Sequence, residues 1–160
     1  MFTPKRILVL FDFSESADAS LNTALWMAAA GKKGEVHLLY LERGLDSAIK
    51  RNPDSAAVED VMEDDEGALM QAAEDVRVKL AESVPGVASV PIHARVVGGD
   101  LIEVAMSMVD ELHIDLIVTG THGREGMMDR LRGSTSEQLV KQATCSVLVL
   151  KPSGFPYIRD

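Results

Sequence analysis

Five short runs rich in aliphatic residues, separated by stretches with helical spacing, constrain this chain more than any other feature. They are "RILVLF" (6–11), "EVHLLYL" (35–41), "PIHARVV" (91–97), "DLIVTG" (115–120) and "SVLVLK" (146–151). The first, second, fourth and fifth are nearly continuous in apolar residues. Successive side chains of a strand point to opposite sides, so a run with no polar side needs cover on both faces. The third alternates, with Ile92, Ala94 and Val96 against His93 and Arg95. That pattern suits a half-exposed strand toward an edge.

The intervening stretches carry apolar stripes. Leu21, Ala24, Leu25 and Ala28 form the first, and Leu69, Ala72, Val76 and Leu80 the second. Leu101, Ala105, Met108 and Leu112 form the third, and Leu139, Val140 and Ala143 a shorter fourth. Such spacing builds helices with one face turned to a sheet. Asp100 followed by Glu103 reads as a capped helix start, and Ser134 followed by Glu137 as a full capping box. Gly31 and Gly34 bracket the end of the first helix, where a left-handed residue is expected.

Strict alternation of these elements predicts an α/β fold. It is an open five-stranded parallel sheet with helices on both faces, Rossmann-like, with right-handed crossovers. Residues 42–62 lack a clear period and contain Pro53. They read as a long loop with a helical turn near 45–51, a kind of segment that often serves function or moves. No internal repeat or low-complexity tract interrupts the 160 residues, which predict one domain, 1–160.

The net charge of -9 argues against nucleic acid as a partner, because an acidic surface repels the phosphate backbone. Part of that charge sits in a run from Glu59 to Glu66, which reads as a solvated loop or helix start. Cys145 is the single cysteine, expected to be buried rather than reactive, so no intrachain disulfide is possible. No apolar run is long enough for a membrane span, and the start carries no signal-peptide pattern. A cytoplasmic location is expected. His37, His93 and His113 are scattered without metal-ligand spacing, so no metal site is expected. Trp26 reads as a core or edge-packing residue.

In open parallel sheets, ligands bind beyond the carboxyl ends of the strands, where strand order reverses. With the order 3-2-1-4-5, strands one and four are neighbours. "FDFSES" (11–16) then faces "GTHGREGMMDRLRGSTSE" (120–137) across that point. Glycines admit a ligand close to the backbone, and amides leading into a helix form an anion site. Ser134 and Thr135 add hydroxyl donors, while Arg124, Arg130 and Arg132 add positive charge. The residues alone leave two readings open: a phosphate cradle, or a connection that needs glycine at its ends. Met127 and Met128 either pack over a ligand or close the loop.

These stretches resemble the universal stress protein family, in its ATP-binding branch. The resemblance spans nearly the whole chain, through "ILVLFDFSESA", "HLLYL", "DLIVTGTHG" and "GSTSEQLVKQATCSVLVLK". The branch's signature is glycine, two residues, glycine, nine residues, glycine, then serine or threonine. Gly120, Gly123, Gly133 and Ser134 match it. The resemblance implies that Asp12 lies against adenine and ribose and that the backbone at Leu41 reads the adenine edge. It implies further that Gly120, Gly123 and Gly133 cradle ribose and phosphates, with Ser134 and Ser136 as phosphate ligands. Leu10, Phe11, Thr119, Arg124 and Thr135 complete the expected site. Leu10 and Phe11 depart from the proline, valine or threonine common there, and Phe11 either crowds or packs against the base. His122 reads as structural rather than catalytic.

Rival nucleotide classes fail on their residues. A P-loop needs lysine before its Ser/Thr, and Gly133-Ser134 has none. A dinucleotide fingerprint needs glycines after strand one, and "FDFSES" has none. The expected function is an ATP-binding stress-response or regulatory protein, with Mg²⁺ on the phosphates. A slow ATPase or phosphotransferase, or a partner-binding module without nucleotide affinity, are the alternatives. An apolar fifth strand left as an edge is an aggregation liability. A homodimer through Val147 and Val149 is therefore expected, beside an unidentified protein partner.

Overall fold

The computed structural model describes residues 2–31, 33–42, 56–120 and 135–151. Among them, β1 (Arg6–Leu10), β2 (Glu35–Leu41), β3 (Ile92–Val97), β4 (Leu116–Gly120) and β5 (Ser146–Leu150) form one sheet of order β3-β2-β1-β4-β5. Every pair is parallel. Among the described residues the helices are α1 (Glu15–Ala30), α2 (Ala56–Ala81), α3 (Leu101–Leu112) and α4 (Thr135–Gln142), with one 3-10 turn at Val87–Ser89.

The two-sided burial expected of the apolar runs is present. Ile7 and Val9 of β1 and Leu38 of β2 pack with Leu21 and Leu25 of α1 and Leu69 and Val76 of α2. Leu8 and Leu39, one residue on, face the other way, onto Ile102, Ala105 and Met108 of α3 and Leu139 of α4. Ile7, Leu8 and Val9 are wholly buried, so β1 is the centre of the sheet in environment as well as order. Full burial of one such side chain contributes about 1.5–3 kcal/mol. β3 and β5 are the edges, and the alternation in β3 follows from its position. The backbone N–H of Val96 on that edge points to the Glu66 carboxylate of α2, at 3.5 Å.

Local signals fared unevenly. Asp100 caps α3, its Oδ1 accepting from the amides of Ile102 at 2.9 Å and Glu103 at 3.1 Å. Gly31 closes α1, but in the right-handed region at φ -74 rather than the left-handed one. The glycine that matters is Gly34: a β-carbon there would lie 2.5 Å from Ala28 Cα. A close approach of β2 to α1 demands it, not a dihedral. His113, at φ 52, takes the left-handed cap of α3 instead.

The reading of 42–62 as loop is corrected in its second half, because α2 begins at Ala56. Its first turns hold only a short stripe, Val58, Val61 and Met62, which the acidic run from Glu63 to Glu66 separates from Leu69, and acidic residues favour a helix amino end. The turn placed at 45–51 lies outside the described residues. Trp26 is also corrected: it is 54% exposed on the outer side of α1. No helix among the described residues is long and apolar enough to cross a membrane.

Candidate functional site

β1 and β4 are direct neighbours, so the strand order reverses between them. The chain leaves β1 through Phe11, whose amide bonds to Leu39 O at 2.9 Å and extends the pairing with β2 by one residue. The Phe11 ring is 3% exposed and belongs to the core with α1 and α2. It therefore packs inward, and Leu10 likewise packs on the opposite face. Asp12 follows at half burial. Its Oδ1 accepts from the Ser14 amide at 3.1 Å and from the Ser14 hydroxyl. Ser14 is the residue that caps α1, its Oγ accepting from the Ala17 amide at 3.2 Å. Asp12 is thus a brace for the cap, held in one orientation by two donors.

Between them, Phe13 has φ 60, a left-handed backbone that bulky residues rarely adopt. That conformation costs roughly 1–2 kcal/mol for a residue with a β-carbon. It turns the ring, 39% exposed, edge-on to Phe11 at 5.3 Å and to Tyr40 at 5.1 Å. Each such contact contributes about 0.5–1.5 kcal/mol, which offsets the backbone cost. Tyr40 in turn donates its hydroxyl to Glu42 at 3.2 Å.

β4 reaches this point through Thr119, 6% exposed, and Gly120. A β-carbon on Gly120 would sit 2.8 Å from both Cβ and Oγ of Ser16. The end of β4 and the first turn of α1 are therefore in backbone-close contact. Ser16 Oγ also lies 3.0 Å from Ser14 Oγ, which links Gly120, Ser16, Ser14 and Asp12 in one continuous wall. Leu41 ends β2, in register with Val97. Thr135, exposed, and Ser136, half-buried, open α4. Gly123, Arg124, Gly133 and Ser134, with His122, Met127, Met128, Arg130 and Arg132, lie outside the described residues. Phe13, Ser16 and Tyr40 were not anticipated. Two aromatics flanking Asp12 in "FDF" were the available signal.

The described wall is acidic. Glu15 and Asp18 lie in the first turn of α1. Burial chiefly, then the charges of Glu42 and Asp64, raises the Asp65 carboxyl above its usual range.

At the amino ends of the strands a second polar group appears. Parallel register places His37 of β2 directly beside His93 of β3, with rings stacked 4.9 Å apart. Glu35 shares that face of β2, its Oε1 3.2 Å from His37 Nε2. Burial, offset in part by that hydrogen bond and reinforced by His93, lowers the His37 pKa. Desolvation raises the Glu35 carboxyl, but the His37 hydrogen bond and the charges of His37, His93 and Arg6 outweigh it, leaving it lowered.

The model of the universal stress protein family matches residues 3–151. The chain belongs to the universal stress protein family. Universal stress protein A homolog 1 of Coxiella burnetii is 44% identical over 45 residues, which cover 28% of this chain and 31% of that protein. The matched stretch thus spans about a third of that relative's length. A universal stress protein solved in complex with cAMP superposes with a TM-score of 0.64 at 19% identity, covering 94% of this chain and 98% of that one. A family protein of Arabidopsis thaliana with AMP bound gives a TM-score of 0.57 at 15% identity, covering 94% of each chain. At those identities the two structures speak for the shared five-stranded parallel α/β fold.

Proposed function

We propose that this universal stress protein binds ATP beyond the carboxyl ends of β1 and β4 and acts as a nucleotide-dependent stress-response or regulatory protein. The observation that carries this reading is the wall joining Gly120, Ser16, Ser14 and Asp12 at the strand-order reversal. A carboxylate held in one orientation suits the hydroxyls of a ribose, and a glycine backbone admits a ligand closely. Family membership and the relatives solved with cAMP and AMP support an adenine nucleotide. In this reading Leu41 would lie at the adenine edge, while Gly123, Arg124, Gly133, Ser134, Thr135 and Ser136 would hold the phosphates, whose charge Mg²⁺ would help to neutralise.

Asp12 is engaged in bracing the start of α1, a holding role rather than proton transfer. The reading is accordingly one of nucleotide-controlled conformation in a single cytoplasmic domain, not of turnover. Association of two copies through β5, the exposed edge, belongs to the same proposal.

The test is direct. Freshly purified protein is denatured and the released nucleotide identified by chromatography, and ATP binding is then measured by calorimetry. ATP or AMP is expected, with Asp12→Ala and Gly133→Val each weakening ATP binding at least tenfold while the fold persists. No released nucleotide and no ATP binding would sink the proposal. Sustained phosphate release with Mg²⁺ would favour the slow-ATPase reading instead.

A further inference from the structure

We propose that Glu35, His37 and His93 form a transition-metal site of the Zn²⁺ class at the amino ends of β2 and β3. One ligand atom from each residue lies within 4.8 Å of the other two. The site is separate from the proposed nucleotide site. Residues 35 and 41 bound β2, and at ~3.3 Å per residue its ends are about 20 Å apart.

Three features make this more than a chance grouping. First, the backbone sets the arrangement. His37 and His93 are Cα partners in a parallel ladder, and Glu35 is two residues from His37 on the same face. Sites carried on strands hold their geometry better than sites on loops. Second, both imidazole Nε2 atoms face one carboxylate, at 3.2 Å to Oε1 and 3.8 Å to Oε2. Third, Arg6 Nε lies 3.3 Å from Glu35 Oε1, so the guanidinium holds one oxygen and orients the other toward His93. An outer partner of this kind is usual around metal ligands.

Two imidazoles and one carboxylate suit Zn²⁺ and its borderline neighbours rather than Mg²⁺ or Ca²⁺, which prefer all-oxygen sets. Bonds of about 2.0–2.2 Å place tetrahedral ligand atoms roughly 3.4 Å apart, so the present spread must close by about 1.4 Å at most. His37 is only 11% exposed at its side chain and stays in place, whereas His93, at 55%, has room to turn inward. The open side at His93 leaves a coordination position for water. Arg95, next on that face of β3, is paired with Glu111 of α3 at 3.4 Å.

The experiment titrates zinc chloride into the chelator-stripped, reduced full chain, without nucleotide. One equivalent is expected to bind, and His93→Ala, an exposed change, should weaken binding at least tenfold without lowering thermal stability. Cobalt substitution in the wild-type chain provides a readout that needs no variant. It should give the visible bands of a nitrogen and oxygen ligand set, with no thiolate charge-transfer band. Absence of saturable Zn²⁺ binding, unchanged affinity in His93→Ala, or a thiolate band pointing to Cys145 would each overturn the proposal. ATP binding by Asp12→Ala and Gly133→Val reports on the other site, so the two proposals fail independently.

Discussion

A β-carbon at Gly120 would come within 2.8 Å of the Ser16 β-carbon, so the last residue of β4 and the first turn of α1 meet with no room for a side chain. Gly120→Ala should therefore destabilise the fold by about 1–3 kcal/mol, the range for overpacking a closely packed contact. Ser16→Gly in that background should restore part of the loss. Urea denaturation of the double-mutant cycle checks it, with a coupling of about 1 kcal/mol or more expected for residues in contact. Additive effects would place the two residues apart.

Phe13 presents an opposite balance. Its φ of 60 is unfavourable, yet its ring makes two edge-on contacts, to Phe11 and Tyr40. Phe13→Gly relieves roughly 1–2 kcal/mol of backbone cost. It removes two contacts of about 0.5–1.5 kcal/mol each. The net change should fall between a gain of about 1 and a loss of about 2 kcal/mol in thermal or urea unfolding. A much larger loss would mean that the ring is a core element rather than a half-exposed one.

Asp65 ties stability to pH. Its carboxyl is raised in the fold by burial first, then by Glu42 and Asp64. A raised carboxyl binds its proton more tightly folded than unfolded, so its unfavourable contribution is present at neutral pH and disappears as pH falls below the ordinary value of 3.8. Asp65→Asn should raise the melting temperature at pH 7, and the gain should shrink on acidification. Melting curves of both proteins across that range test it. A gain independent of pH would remove the charge from the explanation.

Cys145 gives a kinetic counterpart. Burial above all, with Asp115 adding to it, pushes the thiol up. The thiolate is the reactive form, so alkylation at pH 8 should run severalfold slower in the folded chain than in urea. Equal rates would mean an exposed, unperturbed thiol.

Val149 tests the dimer that the proposed function includes. Val149→Glu places a charge on the exposed edge strand, and a sedimentation shift from dimer to monomer is expected. A parent chain that is already monomeric at micromolar concentration would end that proposal.

Much of the architecture was legible because burial writes itself into periodicity. The continuous runs of β1, β2 and β4 announced cover on both faces, the equally apolar β5 is an edge covered only in part, and the alternation at Ile92–Val97 announced an edge. Asp100 announced the start of α3 through its own side chain. The amino half of α2 was read as loop because its stripe of Val58, Val61 and Met62 is short, follows Pro53 and is cut off from Leu69 by four acidic residues, Glu63 to Glu66. At the candidate site, Asp12 and Gly120 stood out by residue type and position. Phe13, Ser16 and Tyr40 did not, because their importance lies in what they touch.

The sequence by itself thus determined the order and kind of elements, since hydrophobic spacing is a local property of the chain. Only the tertiary structure decided which distant residues share a surface. Ser16 meets Gly120 because β1 and β4 are neighbours, and no spacing along the chain encodes a contact across 104 residues (120 minus 16). His37 and His93 looked scattered until parallel register set them side by side with Glu35. Register is a relation between strands, fixed by the packing of both faces at once, and it turned two histidines from which no metal site was expected into a candidate one.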